Sequence, residues 1–184
     1  MSILIDSYSE SNSVGGISVS GIGGFSKSAA QSFKGNGGEL TSVKFYLEND
    51  TSATGSAYAK IYASTGTYGT NAIPTGSALA TSGAFDVSAL SSFELIEFTF
   101  TGENQITLED GIAYCVAIEF NVAGEAIGVG FDNSSPTHSG NAAFTYDLSS
   151  WSASNYDVCF YVYGEPITTP IVGNKYPLPP FRRS

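Results

Sequence analysis

The sequence predicts an all-β protein, an antiparallel β-sandwich of jelly-roll type with an extended C-terminal arm. Three observations carry that prediction. Apolar and polar residues alternate at period two in many short segments. Those segments are separated by Gly/Ser/Thr/Asn/Pro loops. Helical periodicity is nearly absent, and many strands without helices pack as two facing sheets. The chain has 184 residues, 42% hydrophobic and 13% aromatic, enough to bury a core. Only 13% are charged, so polarity rests on hydroxyls and glycine.

The elements follow in order. Short candidates are Ile3–Ser9 and Ala30–Phe33. Residues 40–48 place Val43, Phe45 and Leu47 on one face and Lys44, Tyr46 and Glu48 on the other. Tyr58–Ala63 is a further strand. Leu79–Ala84 is a shorter one, and Asp86 offers a cap for one helical turn in 84–92. Leu95–Phe100 turns Ile96, Phe98 and Phe100 inward; Ile106–Leu108 is short; Ile112–Phe120 is apolar enough to be central. Ala126–Phe131, Ala142–Tyr146 and Tyr156–Tyr163 complete the set. The glycine-rich stretches 12–28 and 64–78 read as long rim loops, where recognition usually sits.

Charge divides the chain into a sandwich domain, 1–165, and a tail, 166–184. The net charge of −10 is uneven: the body to Glu165 carries 4 lysines against 17 acids, or −13, and the tail carries +3. Five of the seven prolines lie in the tail, as do both arginines, Arg182 and Arg183. Such a segment suits neither a core strand nor a helix. It reads as a docking arm, with Lys175, Tyr176, Pro179, Pro180, Phe181, Arg182 and Arg183 as its contact residues. The N-terminus lacks the basic and apolar regions of a secretory signal, so assembly inside the producing cell is the expectation.

The inventory of reactive groups narrows the function. An acidic body lacks the basic stripe that nucleic acid requires. No apolar run approaches the ~18 residues of a membrane span. One His and two Cys argue against zinc. His138, the only imidazole, sits in a Ser/Pro/Gly loop and reads as exposed, and no GxSxG elbow accompanies it. No motif selects a pair of glycosidase carboxylates. The expectation is a non-catalytic protein with no cofactor. Calcium is the one metal the loop oxygens suit, at Asp132 and Asn133. Cys115 and Cys159 read as free buried thiols in central strands, with a disulfide as the alternative. Trp151, Tyr146 and Tyr156 surround the Ser149–Asn155 loop and form the candidate platform for a carbohydrate or a partner.

The succession Gln31-Ser-Phe33, Leu40 to Leu47, Ala59 to Ala63, Pro74-Thr-Gly76-Ser-Ala78-Leu79-Ala80, Phe98-Thr-Phe100 and Leu108 to Tyr114 resembles a jelly-roll module. Such modules recur in tailed-phage structural proteins and in bacterial surface proteins. The resemblance covers roughly residues 28–164. It implies a non-catalytic β-sandwich used on virions or cell surfaces for display, adhesion or carbohydrate contact. Together with the N-terminus, the single module, the basic arm and the missing catalytic set, the leading expectation is a structural protein of a phage-like virion: a capsid decoration, head-fibre or tail-associated protein that exposes loops for adhesion. Its partners would be copies of itself, with a trimer as the expectation from the class, other virion proteins and surface glycans. It would be assembled in the host cytoplasm. The alternatives are a carbohydrate-binding module and a subunit of a bacterial surface filament, which place it outside the cell or on its surface.

Overall fold

The computed structural model describes residues 1–21 and 26–166. Fourteen strands follow in chain order: β1 Ile3–Tyr8, β2 Gly15–Ser20, β3 Ser28–Lys34, β4 Glu39–Asn49, β5 Ser56–Thr65, β6 Ile73–Thr81, β7 Phe85–Asp86, β8 Glu94–Thr99, β9 Ala113–Glu119, β10 Ala126–Asp132, β11 Ala142–Thr145, β12 Trp151–Ser154, β13 Asp157–Val158 and β14 Phe160–Glu165. Three short 3-10 turns, at Glu10–Asn12, Val87–Ala89 and Gly102–Asn104, are the only helical elements among the described residues. The turn expected after Asp86 is one of them. Asp86 caps it by accepting the Ser88 amide at 3.0 Å. No helix among the described residues is long and apolar enough to cross a membrane.

All the strand pairs are antiparallel, and they form two facing sheets. Sheet A joins β1, β14, β4 and β8, with β10, β2 and β13 attached through β4 and β10. Sheet B runs β12-β11-β3-β9-β5-β6, with β7 on β5. The eight strands β1, β3, β4, β5, β6, β8, β9 and β14 are the frame. Their order is first-eighth-third-sixth in one sheet and second-seventh-fourth-fifth in the other. That is the paired Greek-key order of a jelly roll. The additional strands β10–β13 enter between the last two frame strands, and β2 closes onto β10.

The alternation read from residues 40–48 places the core as expected. Val43, Phe45 and Leu47 are fully buried, and Phe98 and Phe100 meet them from the edge side. Phe33, Phe45, Phe98, Phe120 and Phe160 fill the space between the sheets. The Phe45 and Phe98 rings meet edge to face at 6.3 Å and 75°, and Phe85 meets Phe98 at 5.9 Å and 65°. Each such pair contributes ~1 kcal/mol beyond its area burial.

The rim-loop expectation fails in two places. Gly15–Ser20, inside 12–28, is β2, paired with β10 along six positions. Ile73–Ala78, inside 64–78, is the first part of β6. Pro74 is tolerated there because β6 is an edge strand and needs no donor on its open side. Ile106–Leu108 makes only a single bridge, from Thr107 to Glu39. The contact residues assigned to the tail, Lys175 to Arg183, lie outside the described residues.

Candidate functional site

The outer face of sheet B is built from small residues around two large aromatics. Ala30, Cys115, Ala117 and Ala143 form its floor, and Tyr62 and Trp151 stand on it. Register explains the meeting. Trp151 pairs with Thr145 on β11, and Tyr62 pairs with Cys115 on β9, so both side chains point away from the core. Their rings approach edge to face, at 6.1 Å and 61°.

Beside this pair lies a cleft of about 400 Å³. The end of the β5–β6 hairpin supplies Thr65, Pro74 and Thr75, and the β11–β12 turn supplies Leu148 and Ser149. No charged side chain lines it. Its polar groups are hydroxyls and backbone, and its walls are Tyr62, Pro74, Leu148 and Trp151.

Both sides of the cleft are fixed by hydrogen bonds. The Tyr62 hydroxyl donates to Glu119 Oε1 at 2.6 Å, and Lys60 Nζ meets Glu119 Oε2 at 2.6 Å. Burial, then the neighbouring Glu119, pushes the Tyr62 hydroxyl well above the ordinary phenol range. Tyr62 therefore stands as a protonated wall whose hydroxyl proton is committed to Glu119. Across the cleft, Asp147 Oδ1 accepts the amides of Ser150 at 2.6 Å and Ser149 at 2.8 Å. Those two amides hold its carboxyl far below the usual carboxylate range. Leu148, between them, has φ +64°, the left-handed region that L-residues avoid. The turn holds it there, with its side chain at the cleft.

The three aromatics expected as one platform are separated. Trp151 is half-buried at the cleft. Tyr156 turns to the core side, where its ring meets Phe131 at 5.7 Å and Phe144 at 6.2 Å. Tyr146 lies past the end of β11 and is exposed. Trp151 is paired instead with Tyr62, some ninety positions away in sequence, which the local pattern did not single out. Tyr62 alternates correctly in the strand read over 58–63, but its partner across the sheet comes from topology.

His138 is not an exposed loop residue. Its side chain is only 6% exposed. The 132–140 loop folds back over the end of the sandwich, and the ring stands on Phe160 at 5.2 Å and 90°. Nδ1 accepts from the Gly140 amide at 3.0 Å and the Gln31 side-chain amide at 3.1 Å. That assigns the ring proton to Nε2, which lies 3.1 Å from Asp6 Oδ1. Asp157 accepts from Gln31 and from the His138 amide, each at 2.9 Å. Burial raises the Asp157 carboxyl above its ordinary range. This network joins β1, β3, β13 and the loop.

Asp132, the proposed calcium ligand, already has donors on both oxygens. Tyr8 donates to Oδ2 at 2.7 Å, and Ser134 donates to Oδ1 from its amide at 2.7 Å and its hydroxyl at 2.8 Å. Tyr8 first, then Ser134, draws its carboxyl down to about 2. Asn133 is exposed. Among the described residues no group of three or more His, Cys, Asp or Glu is placed to hold a metal ion. Cys115 and Cys159 are free and buried, and burial pushes each thiol up to about 12. They face different layers: Cys115 lies under the outer face of sheet B, and Cys159 lies in the core. Cys159 sits in the one-residue break between β13 and β14, where its amide donates to Gly130.

No known family model matches the sequence, and no curated protein matches it. Among solved structures, the chain is similar to the cysteine protease and lectin-like domains of Cwp84, a surface layer associated protein of Clostridium difficile. The identity is 14% and the TM-score 0.47, over 76% of this chain and 32% of that one. The chain thus spans about a third of that protein's length, and nothing about its function follows from so distant a likeness.

Proposed function

We propose that the protein is a non-catalytic binding module that takes a short neutral saccharide in the Trp151–Tyr62 cleft. The observation that carries the reading is the lining itself: two aromatic walls, hydroxyls from Thr65, Thr75 and Ser149, and no charged side chain. Apolar sugar faces stack on aromatic rings, and sugar hydroxyls pair with fixed hydroxyls and backbone. An uncharged lining favours neutral sugars, because an acidic sugar would lose hydration with no cation to replace it. Lys60 and Glu119 neutralise each other beside the cleft, so their fields offset for an incoming ligand.

The setting we assign is the surface of a phage-like virion or of a cell, where an adhesive jelly roll meets glycans. The module resemblance of residues 28–164 and the acidic body that keeps copies apart support it.

A glycan array probed with the full chain and with Trp151→Ala tests the reading. The wild type is expected to hold neutral glycans weakly, with Kd about 0.1–1 mM. Trp151→Ala is expected to lose about tenfold or more. Equal signals from the two proteins, or selective retention of acidic glycans, would overturn it.

A further inference from the structure

Resting on the saccharide reading, we infer that Asn141 is a positioning residue of the cleft: it holds the β5–β6 hairpin at the spacing from the β11–β12 turn that a saccharide requires. Asn141 does not itself line the cleft. It acts through Ala72.

The cleft has two unlike sides. Leu148, Ser149 and Trp151 stand on one, where Asp147 closes the β11–β12 turn. Thr65, Ile73, Pro74 and Thr75 stand on the other, at the outer end of the hairpin. That end is bent. Ile61 faces Ala80 and Ala63 faces Thr75, so residues 76–79 of β6 lie opposite Tyr62 alone. Extra residues in one strand bend it, and this bend turns the hairpin end toward the outer face of sheet B. There Ile73 and Ala78 pack against the cluster of Ala30, Cys115 and Ala143. β6 is an edge strand, and its ladder is with β5 only. Its outer end therefore needs a second hold.

Asn141 supplies that hold. It is 3% exposed and immediately precedes β11. Its Oδ1 accepts the Ala72 amide at 3.1 Å, and its Nδ2 donates to the Ala72 carbonyl at 3.0 Å. The side-chain amide thus satisfies both backbone groups of Ala72, as a neighbouring strand would. Asn141 is in turn fixed to β3. Its backbone amide donates to Ser32 Oγ at 2.8 Å, and its carbonyl accepts the Ser32 amide at 3.0 Å. At the hairpin tip, the Tyr68 and Ser139 hydroxyls meet at 3.0 Å, and a Cβ on Gly69 would come 2.4 Å from the Ser139 carbonyl oxygen. The Tyr68 contact is exposed, whereas the Ala72 pair is buried. Losing that pair strands two backbone groups away from water.

Two variants of the full chain test this, Asn141→Ala and Asn141→Asp. Each is read by amide hydrogen exchange and by retention on a printed panel of neutral oligosaccharides. Asn141→Ala is expected to speed exchange in residues 63–76 while β4 and β9 stay protected, and to lower retention about tenfold. Asn141→Asp is expected to match that loss at about pH 7.5, where a carboxylate cannot donate to Ala72, and to recover at about pH 5, where the buried acid is protonated and again offers one donor and one acceptor. His138 and Asp157 line a small cavity with Asn141, and Tyr68 lies on the hairpin tip, in every variant. Wild-type retention at each pH is therefore the reference. Should Asn141→Ala not fold, the two pH values in Asn141→Asp decide. With a wild type that binds, unchanged retention in Asn141→Ala overturns the inference, and so does an Asn141→Asp that binds alike at both pH values. A wild type that retains no neutral oligosaccharide overturns the saccharide reading instead, and exchange in residues 63–76 then still separates an anchoring Asn141 from an idle one.

Discussion

The two outer faces of the sandwich are made from the same kind of strand and end in different chemistry. On sheet B, the outward positions of β3, β9 and β11 are Ala30, Cys115, Ala117 and Ala143. These short side chains are buried beneath Tyr62 and Trp151, which form one wall of the cleft beside them. On sheet A, the outward positions of β4 and β14 are Lys44, Tyr46, Tyr161 and Tyr163, and the relief comes from glycines in β10. Gly130 lies directly beneath Tyr46: a Cβ there would come 2.6 Å from the Tyr46 ring. One face is a small-residue floor with a neutral cleft at its edge. The other carries large rings, of which Tyr46 and Phe93 lie over Gly130 and Gly16, and is edged with carboxylates. The difference shows how outward positions, free of core constraints, set what each side of one fold can bind.

Both faces depend on the layer between them, so the largest effect comes from breaking it. Phe45 is fully buried and meets Phe98 edge to face. Phe45→Ala is expected to cost about 3–5 kcal/mol, read as a lower urea midpoint with an unchanged slope. A loss under about 1 kcal/mol would mean that the two sheets do not share this core.

A finer comparison sets a glycine of one face against a glycine of the other. Gly130→Ala forces Tyr46 aside and is expected to cost about 1–3 kcal/mol. Gly76 lies at the sheet B cleft with φ +71° and open space around it. Gly76→Ala is expected to cost only about 1 kcal/mol, from backbone strain alone. Thermal unfolding of the two variants checks the order, and the reverse order would remove the Gly130 contact with Tyr46 from the account.

The smallest expected effect concerns acid, and lies at the end of the sandwich, away from both faces. Asp132 has its carboxyl drawn down to about 2 by Tyr8 and Ser134. A carboxyl depressed in the folded state stabilises above its unfolded pKa of about 4 and loses that contribution as pH falls through the folded value. Asp157 is shifted up by burial, so its contribution has the opposite sign and is lost as pH rises through its folded value. Unfolding from pH 5 down to 2 is expected to show falling stability in the wild type and a flatter curve in Asp132→Asn. A steeper curve in the variant would contradict the assignment.

Much of the fold was legible because period-two alternation is strong where one face is core. Residues 40–48 and 95–100 show it directly, and both strands stand where that pattern places them. β2 and β12 were missed for a physical reason. Gly15, Gly16, Ser152, Ala153 and Ser154 carry little contrast between faces, so pairing decides their state. β6 was half-missed because Pro74 and Gly76 read as a loop unless the strand is known to be an edge. The site was legible in part. Trp151 stood out as a lone indole among serines. Tyr62 did not, because its partnership with Trp151 is made by sheet order across residues distant in sequence. Tyr156 was misplaced because its neighbourhood in the chain hid its turn toward Phe131 and Phe144. His138 looked exposed from its loop composition, while Gln31, Asp6 and Phe160 come from three separate strands to enclose it.

The claim that sheet B presents a neutral sugar cleft is tested most directly by following the Trp151 indole N–H resonance, the single indole signal of this chain, during titration with neutral and acidic oligosaccharides. The account predicts that a neutral oligosaccharide moves this signal together with those of Thr65, Thr75 and Ser149 and leaves Tyr161 and Tyr163 in place, while an acidic one moves none of them. Saturable shifts confined to the tyrosine face of sheet A, or an indole signal indifferent to every neutral sugar, would contradict it.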